Sequence, residues 1–296
     1  MARLRGFTLI ELLVVVAIMV LLIAILMPSL ARARSQARSV LCLSNLRQLS
    51  HGWHMYADDH DEVLLPGRYA KAPGGMSNPA NWYKIANGLK YRPRWVATMG
   101  EYVGLPAFNF PRTDDDRQDY DARVYACPQV PEWIDERNYA YGYNHQFLGN
   151  ARQTNGQFHN FPVNRSQIRS FGGTVMATDC MGTAAGFPAS QRHPYNNDGK
   201  SYDELGNHGW TLDPPRLTDA SDCGTGDEGS PRAAVDPRHA GKANVAFCDG
   251  HCEPQTPKEL GYVIQQDGTY AKDDPNATNW LFSGTGRDDD PPDLPQ

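Results

Sequence analysis

No Gly-x-Ser-x-Gly, no Gly-x-x-x-x-Gly-Lys-Ser/Thr and no His-Glu-x-x-His occurs in the 296 residues. A nucleophile elbow, a phosphate-cradling loop and a zinc-protease helix are therefore missing, and the sequence gives an enzyme little positive support. Basic charge is also in short supply. Lys and Arg number 28 against 34 Asp and Glu, for a net −6, which argues against nucleic-acid binding as a main role. Long apolar runs are lacking everywhere except at the amino terminus. The rest is rich in Gly, Pro, Asn, Asp and Tyr, the profile of a loop-rich extracytoplasmic head rather than a compact metabolic enzyme. The six cysteines, 42, 127, 180, 223, 248 and 252, are compatible with an oxidising compartment, and six allow fifteen pairings.

What is present is concentrated at the start. Gly6-Phe7-Thr8-Leu9-Ile10-Glu11 leads into an apolar run from Leu12 to Met27, and Arg3 and Arg5 stand in front of it. From Phe7 to Met27 the chain is long enough to cross about 30 Å of hydrocarbon as a helix. Glu11 is the anomaly in that span, since a carboxylate there costs about 2.5–3.5 kcal/mol and needs a partner or water. Pro28 falls within the helical stretch, where a proline removes one helix hydrogen bond. Arg32, Arg34 and Arg38 follow the span as Arg3 and Arg5 precede it, so charge alone does not set the topology.

The junction resembles the class III signal of type IV prepilins and type II secretion pseudopilins. The resemblance implies cleavage after Gly6 by a prepilin peptidase, methylation of Phe7, and retention of the apolar segment in the mature chain. An ordinary secretory signal loses that segment. In this family the glutamate is thought to meet the amino terminus of a neighbouring subunit, so Glu11 is the candidate docking residue. The family also implies a single-pass inner-membrane protein. Its amino terminus would be cytoplasmic and its head periplasmic or extracellular, with other pilin-like subunits as partners.

Periodicity extends the helix. Leu30, Ala33, Ala37, Leu41 and Ser44, then Leu49, Trp53 and Tyr56, recur at three-to-four spacing with one break, which predicts a helix over 7–57, about 75 Å long. Its membrane part covers about 7–28, behind a leader at 1–6. Cys42 to Leu49, the block Tyr56-Ala57-Asp58-Asp59, Cys127-Pro128 and Tyr141-Gly142-Tyr143-Asn144 resemble a large group of pilin-like proteins with a distinctive carboxy-terminal signature. His239 followed ten positions later by Asp249-Gly250 matches that His-nine residues-Asp-Gly signature. The expected fold is α+β and pilin-like. A long amino-terminal helix, half membrane-spanning and half amphipathic, packs on a loop-rich antiparallel β-sheet head at 58–283. Strands are expected at 138–143 and 174–179, long surface loops at 181–235, and a disordered acidic tail at 284–296.

Within 244–255, Asp249-Gly250 suits a two-residue type I′ hairpin turn. That geometry places Val245, Phe247 and Cys252 on one face and Ala246, Cys248 and His251 on the other. A metal or catalytic site built from His239, Asp179, Asp249 and His251, or a zinc site using Cys248, His251 and Cys252, is weighed against a simpler role. In the simpler reading His239 orders the hairpin or bonds Asp179, and it is favoured because 248 and 252 would face apart. Asp58, Asp59, Asp61 and Glu62 form a candidate calcium cluster, with a solvated helix end as the alternative. Trp82, Tyr83, Tyr91, Trp95 and Tyr102 could offer a sugar surface or form core. Cys42 and Cys127, each inside a motif block, are the candidate disulfide linking helix to head, worth about 4–5 kcal/mol in the entropic picture.

Overall fold

The computed structural model describes residues 8–112, 120–130, 140–149, 152–154, 157–159, 162–192, 209–218 and 232–292. One helix dominates: α1, Leu9–Asp59. It is followed by a hairpin of β1 (Trp82–Ile85) and β2 (Gly88–Tyr91), and by the short helices α2 (Trp95–Thr98) and α3 (Gly100–Val103). Then come β3 (Tyr141–Tyr143), α4 (His145–Leu148), a second hairpin of β4 (Arg152–Thr154) and β5 (Gln157–His159), and β6 (Val175–Asp179). The last strands are β7 (Ala243–Phe247) and β8 (Cys252–Gln255). The central sheet is antiparallel, in the order β3-β6-β7-β8. A long amino-terminal apolar helix against antiparallel sheets is an α+β, pilin-like arrangement.

The two halves of α1 differ because their sequences do. From Leu9 to Met27 the helix is apolar all round and its large side chains are exposed. It is the one helix among the described residues long and apolar enough to cross a membrane. It continues without interruption through Pro28. From residue 42 on, Cys42, Leu46, Leu49, Trp53 and Tyr56 are buried at alternating spacings of four and three, with Ala57 beside the last, the seam of a helix that packs along its length. The expected seam was rotated by one position in its middle. Leu30, Leu41 and Ser44 are exposed, and Cys42 points inward where Leu41 was expected. The apolar count alone could not distinguish adjacent apolar residues at 40–43.

The sheet separates two cores. Strand alternation sends Tyr141, Tyr143, Ala177 and Ala246 toward α1, and Val175, Val245 and Phe247 to the opposite side. A register shift in β6 between Val175 and Ala177 keeps Met176 and Ala177 both on the helix side. On the helix side Trp53 donates its indole N–H to Tyr143 Oη at 2.9 Å, and Trp95 stacks on Tyr143. On the far side the second core recruits Leu212, Ala233, Ala234, Val235, Leu260, Tyr262, Tyr270 and Phe282. Residues 181–235 are therefore not all surface loop: 209–218 and 232–235 supply buried side chains. Thr183, Ala184 and Ala185 are buried as well, while 193–208 and 219–231, with Cys223, lie outside the described residues.

Three expectations about the carboxy-terminal region need correction. The hairpin turn has three residues rather than two: Phe247 N–H donates to His251 O, and Gly250 N–H to Phe247 O. Only Gly250 takes a positive φ, of 91°, so the loop closes as a turn ending in one left-handed glycine. The extra residue shifts the register, pairing Ala246 with Cys252. Cys252 consequently packs with Ala246 and Cys248 against the helix-side core, not with Val245 and Phe247. Last, the segment expected to be a disordered tail is held as far as 292. Arg216 bridges Asp288 and Asp290, and Asn279 N–H donates to Asp288 at 2.6 Å. An arginine that is mostly buried recruits carboxylates that composition alone assigned to solvent.

Candidate functional site

The amino-terminal motif begins outside the described residues, so Arg3, Arg5, Gly6 and Phe7 have no structural account. Thr8 and Glu11 do. Thr8 is the N-cap of α1; its hydroxyl accepts from Glu11 N–H at 3.3 Å, and Glu11 Oε2 accepts from Thr8 N–H and Thr8 Oγ1, each at 2.8 Å. This capping box satisfies two donors that the first helical turn would otherwise leave orphaned. The anomalous carboxylate thus has a local partner in the isolated chain. Its sequence signal is the Thr-x-x-Glu spacing of Thr8 and Glu11.

The other expected sites are dispersed. Asp58 and Glu62 are engaged by Arg165, at 2.8 Å and, through a bidentate pair, at 2.5 and 2.6 Å. Asp59 hydrogen-bonds Tyr102. Asp58 and Glu62, two of the four candidate calcium carboxylates, therefore tie the end of α1 to the head. Of the five aromatics weighed as a sugar surface, Trp95 and Tyr91 are buried, while Trp82, Tyr83 and Tyr102 are half-buried. Tyr83 stacks on Tyr69, and Trp82 meets Tyr91 edge-on. Asp249 and His251 form their own pair at the hairpin tip, Oδ1 to Nδ1 at 2.5 Å, apart from His239. Burial would raise the Asp249 pKa, but hydrogen bonds from the His251 backbone and ring outweigh it and hold the carboxyl below its ordinary range. Gly250 rests over Ser50 and His54 of α1, so the signature turn docks on the helix.

The constellation the structure does assemble joins His239 and Asp179, which were paired in the sequence reading, to Cys42 and Cys127, which were read there only as a disulfide. All four are buried, and one donor atom from each lies within 4.8 Å of the others. Each arrives on a different element. Cys42 sits on the buried seam of α1, Cys127 follows the short turn at Arg123–Tyr125, Asp179 closes β6, and His239 precedes β7. Alternation along β6 aims Asp179 at the helix, as it does Ala177. Cys42 Sγ lies 3.3 Å from Asp179 Oδ1, Cys127 Sγ lies 3.3 Å from His239 Nε2, and His239 Nε2 lies 3.2 Å from Asp179 Oδ2. The two sulfurs are not bonded to each other; both cysteines are free thiols.

Around these four stands a supporting ring. Asn244 N–H donates to Asp179 Oδ2 at 2.8 Å, and Tyr141 Oη donates to Cys42 Sγ at 3.4 Å. Arg238, nearly buried, approaches Asp179 at 4.0 Å and is itself held by Asp236 and the Cys180 carbonyl. The electrostatics split the two thiols. Burial, the hydrogen bond with Cys127 and the Asp179 charge push Cys42 far up. Hydrogen bonds from Cys42 and His239 outweigh burial at Cys127 and bring it down to about 6. Burial opposes the charged form of His239, but Asp179 and Cys127 prevail and raise it to about 9. The sequence carried a partial signal for this grouping: Cys42, Cys127 and His239 fall in separate motif blocks on which the family resemblance rests, and Asp179 ends the strand expected at 174–179.

Comparison with known proteins bears on the amino-terminal segment. A family model described as the prokaryotic N-terminal methylation motif matches residues 1–27. The chain is 36% identical over 81 residues to the type IV wide pilus major component PilA4 of Thermus thermophilus. That match covers 27% of this chain and 62% of the relative. No solved structure matches the chain. The chain is thus prepilin-like: it carries the methylation motif ahead of one long apolar helix and shares a segment with a type IV pilus component.

Proposed function

We propose that the chain is a structural subunit of a type IV pilus or a type II secretion-type pseudopilus. The observation that carries this is the joint presence of the methylation motif and a helix half whose apolar side chains are exposed along the whole of Leu9–Met27. A surface of that kind needs lipid before assembly and neighbouring helices after it. In this reading Arg3, Arg5, Gly6 and Phe7 serve recognition, cleavage and methylation by a prepilin peptidase. The first half of α1 holds the chain in the inner membrane, and the head projects from it outside the cytoplasm. The role is non-covalent and not enzymatic. Exposed Val40 and Leu41, at 65% and 56%, continue the apolar surface beyond the membrane span, where helices of adjacent subunits would meet.

Glu11 then works in two states. In the single subunit its carboxylate closes the Thr8 capping box; on assembly it exchanges that partner for the amino group of a neighbour. The exchange replaces two hydrogen bonds from uncharged donors with a countercharge in apolar surroundings, where an uncompensated carboxylate is costly. The test is Glu11→Ala expressed in cells that assemble the wild type. Loss of the chain from sheared surface filaments, with normal amounts left in the membrane, is expected. Unchanged incorporation would mean the helix serves only as an anchor for a binding head that never polymerises.

A further inference from the structure

The geometry points to a structural zinc site made by Cys42 Sγ, Cys127 Sγ, Asp179 and His239 Nε2, tying the long helix to three separate segments of the head. It does not depend on whether the chain polymerises. Two cysteines, a histidine and a carboxylate form a donor set suited to Zn²⁺, with bonds of about 2.0–2.3 Å. Ligand atoms at the corners of a tetrahedron of that size stand about 3.3–3.8 Å apart. Three edges of this cluster measure 3.3, 3.3 and 3.2 Å, and every donor pair lies within 4.8 Å. The group is therefore slightly irregular but already close to the size the ion requires.

Three further features fit a cation at the centre. The four residues are buried, so a full set of protein ligands would close the site to solvent, the condition of a structural rather than a catalytic zinc. Asp179 is oriented by the Asn244 N–H, and Cys42 by the Tyr141 hydroxyl, supports of the kind that fix ligands in place. Two thiolates, one carboxylate and a divalent ion leave one negative charge, and the Arg238 guanidinium stands 4.0 Å from Asp179 to balance it. On binding, the Cys42 thiol proton and the one proton shared by the Cys127–His239 pair pass to solvent, two per ion, so that both sulfurs bind as thiolates, the aspartate as carboxylate and the histidine as neutral imidazole. The same two sulfurs cannot then form a disulfide. The ion would protect them from oxidation in the compartment where such a bond would otherwise form.

The full-length protein is purified in detergent without chelator, its metals are measured per chain, and its thiols are alkylated before and after chelation. About one zinc per chain is expected, with Cys42 and Cys127 labelling only after chelation. Cys127→Ser and His239→Ala should each lose that zinc. Because these variants could also fail to fold, chelated wild type is reduced and titrated with Co²⁺ as a second measurement. A sulfur-to-cobalt charge-transfer band saturating at one equivalent supports the site. A non-reduced digest that yields a Cys42–Cys127 linked peptide without stoichiometric metal overturns it. So does a reduced protein that gives no charge-transfer band, or zinc that persists in both variants.

Discussion

Trp53 is where the claim that α1 is the spine of the head can be measured. Its side chain is fully buried between helix and sheet, and its indole N–H donates to Tyr143 Oη at 2.9 Å. Tyr143 is itself fully buried and stacked on Trp95; its other contact, to Leu148 O, is long at 3.5 Å. Trp53→Phe preserves most of the packing and orphans the Tyr143 hydroxyl, at a cost of about 1–3 kcal/mol. Trp53→Ala also opens a cavity in a packed core, for a total of about 3–5 kcal/mol or somewhat more. Urea unfolding of the head, followed by far-ultraviolet circular dichroism in a detergent that leaves the membrane half helical, gives both numbers. The expected order is wild type, Phe, then Ala, with a gap of at least about 1 kcal/mol between the two variants. An alanine variant within about 1 kcal/mol of wild type would refute the reasoning, because a helix merely tethered to the head loses nothing at this position.

Gly142→Ala should destabilise by about 1–3 kcal/mol or more, since a Cβ there would lie 2.7 Å from Thr211 O and 2.9 Å from Cys180 Cβ; a shift in the same urea midpoint checks it. Asp249 has a lowered folded pKa, so its contribution is fully present above the unfolded carboxylate value and is lost as pH falls through the folded one. Asp249→Asn should therefore flatten the stability gain seen as pH rises through the acid range, with little change of slope at neutral pH. Arg216→Ala should release the segment after Gly284, read as faster proteolysis between 284 and 292, because its ties to Asp288 and Asp290 are gone. Arg165→Ala removes pairs whose carboxylates are about half exposed, and should change stability by no more than about 1 kcal/mol.

Much of this was legible in the chain because it rests on local rules. The apolar run, the three-to-four periodicity after it, the alternation at Tyr141–Tyr143, the short apolar run at 174–179 and the Asp-Gly turn each signal their element within a short window. Register was less legible. One residue more in the turn after Phe247 moved Cys252 to the other face, and adjacent apolar residues at 40–43 left the helix seam ambiguous by one position. The segments 209–218 and 232–235 looked like surface because their few apolar residues are scattered, yet the far face of the sheet gathers them. Of the cluster, Cys42, Cys127 and His239 lay in separate motif blocks, and Asp179 at the end of an expected strand. What the sequence could not supply was their convergence, since the four are brought together only by docking α1 on β6 and the loop before β7. The near neighbours Cys248, His251 and Cys252 form no such group among the described residues.

The central claim is that the apolar helix belongs to a processed pilin-like subunit. The intact mass and amino-terminal sequence of the chain from membranes, with and without an active prepilin peptidase, test it most directly. The account predicts a mature chain beginning at methylated Phe7 when the peptidase is active and an uncleaved chain when it is not. An uncleaved Met1 start in both samples would contradict it, leaving residues 1–27 as an anchor alone.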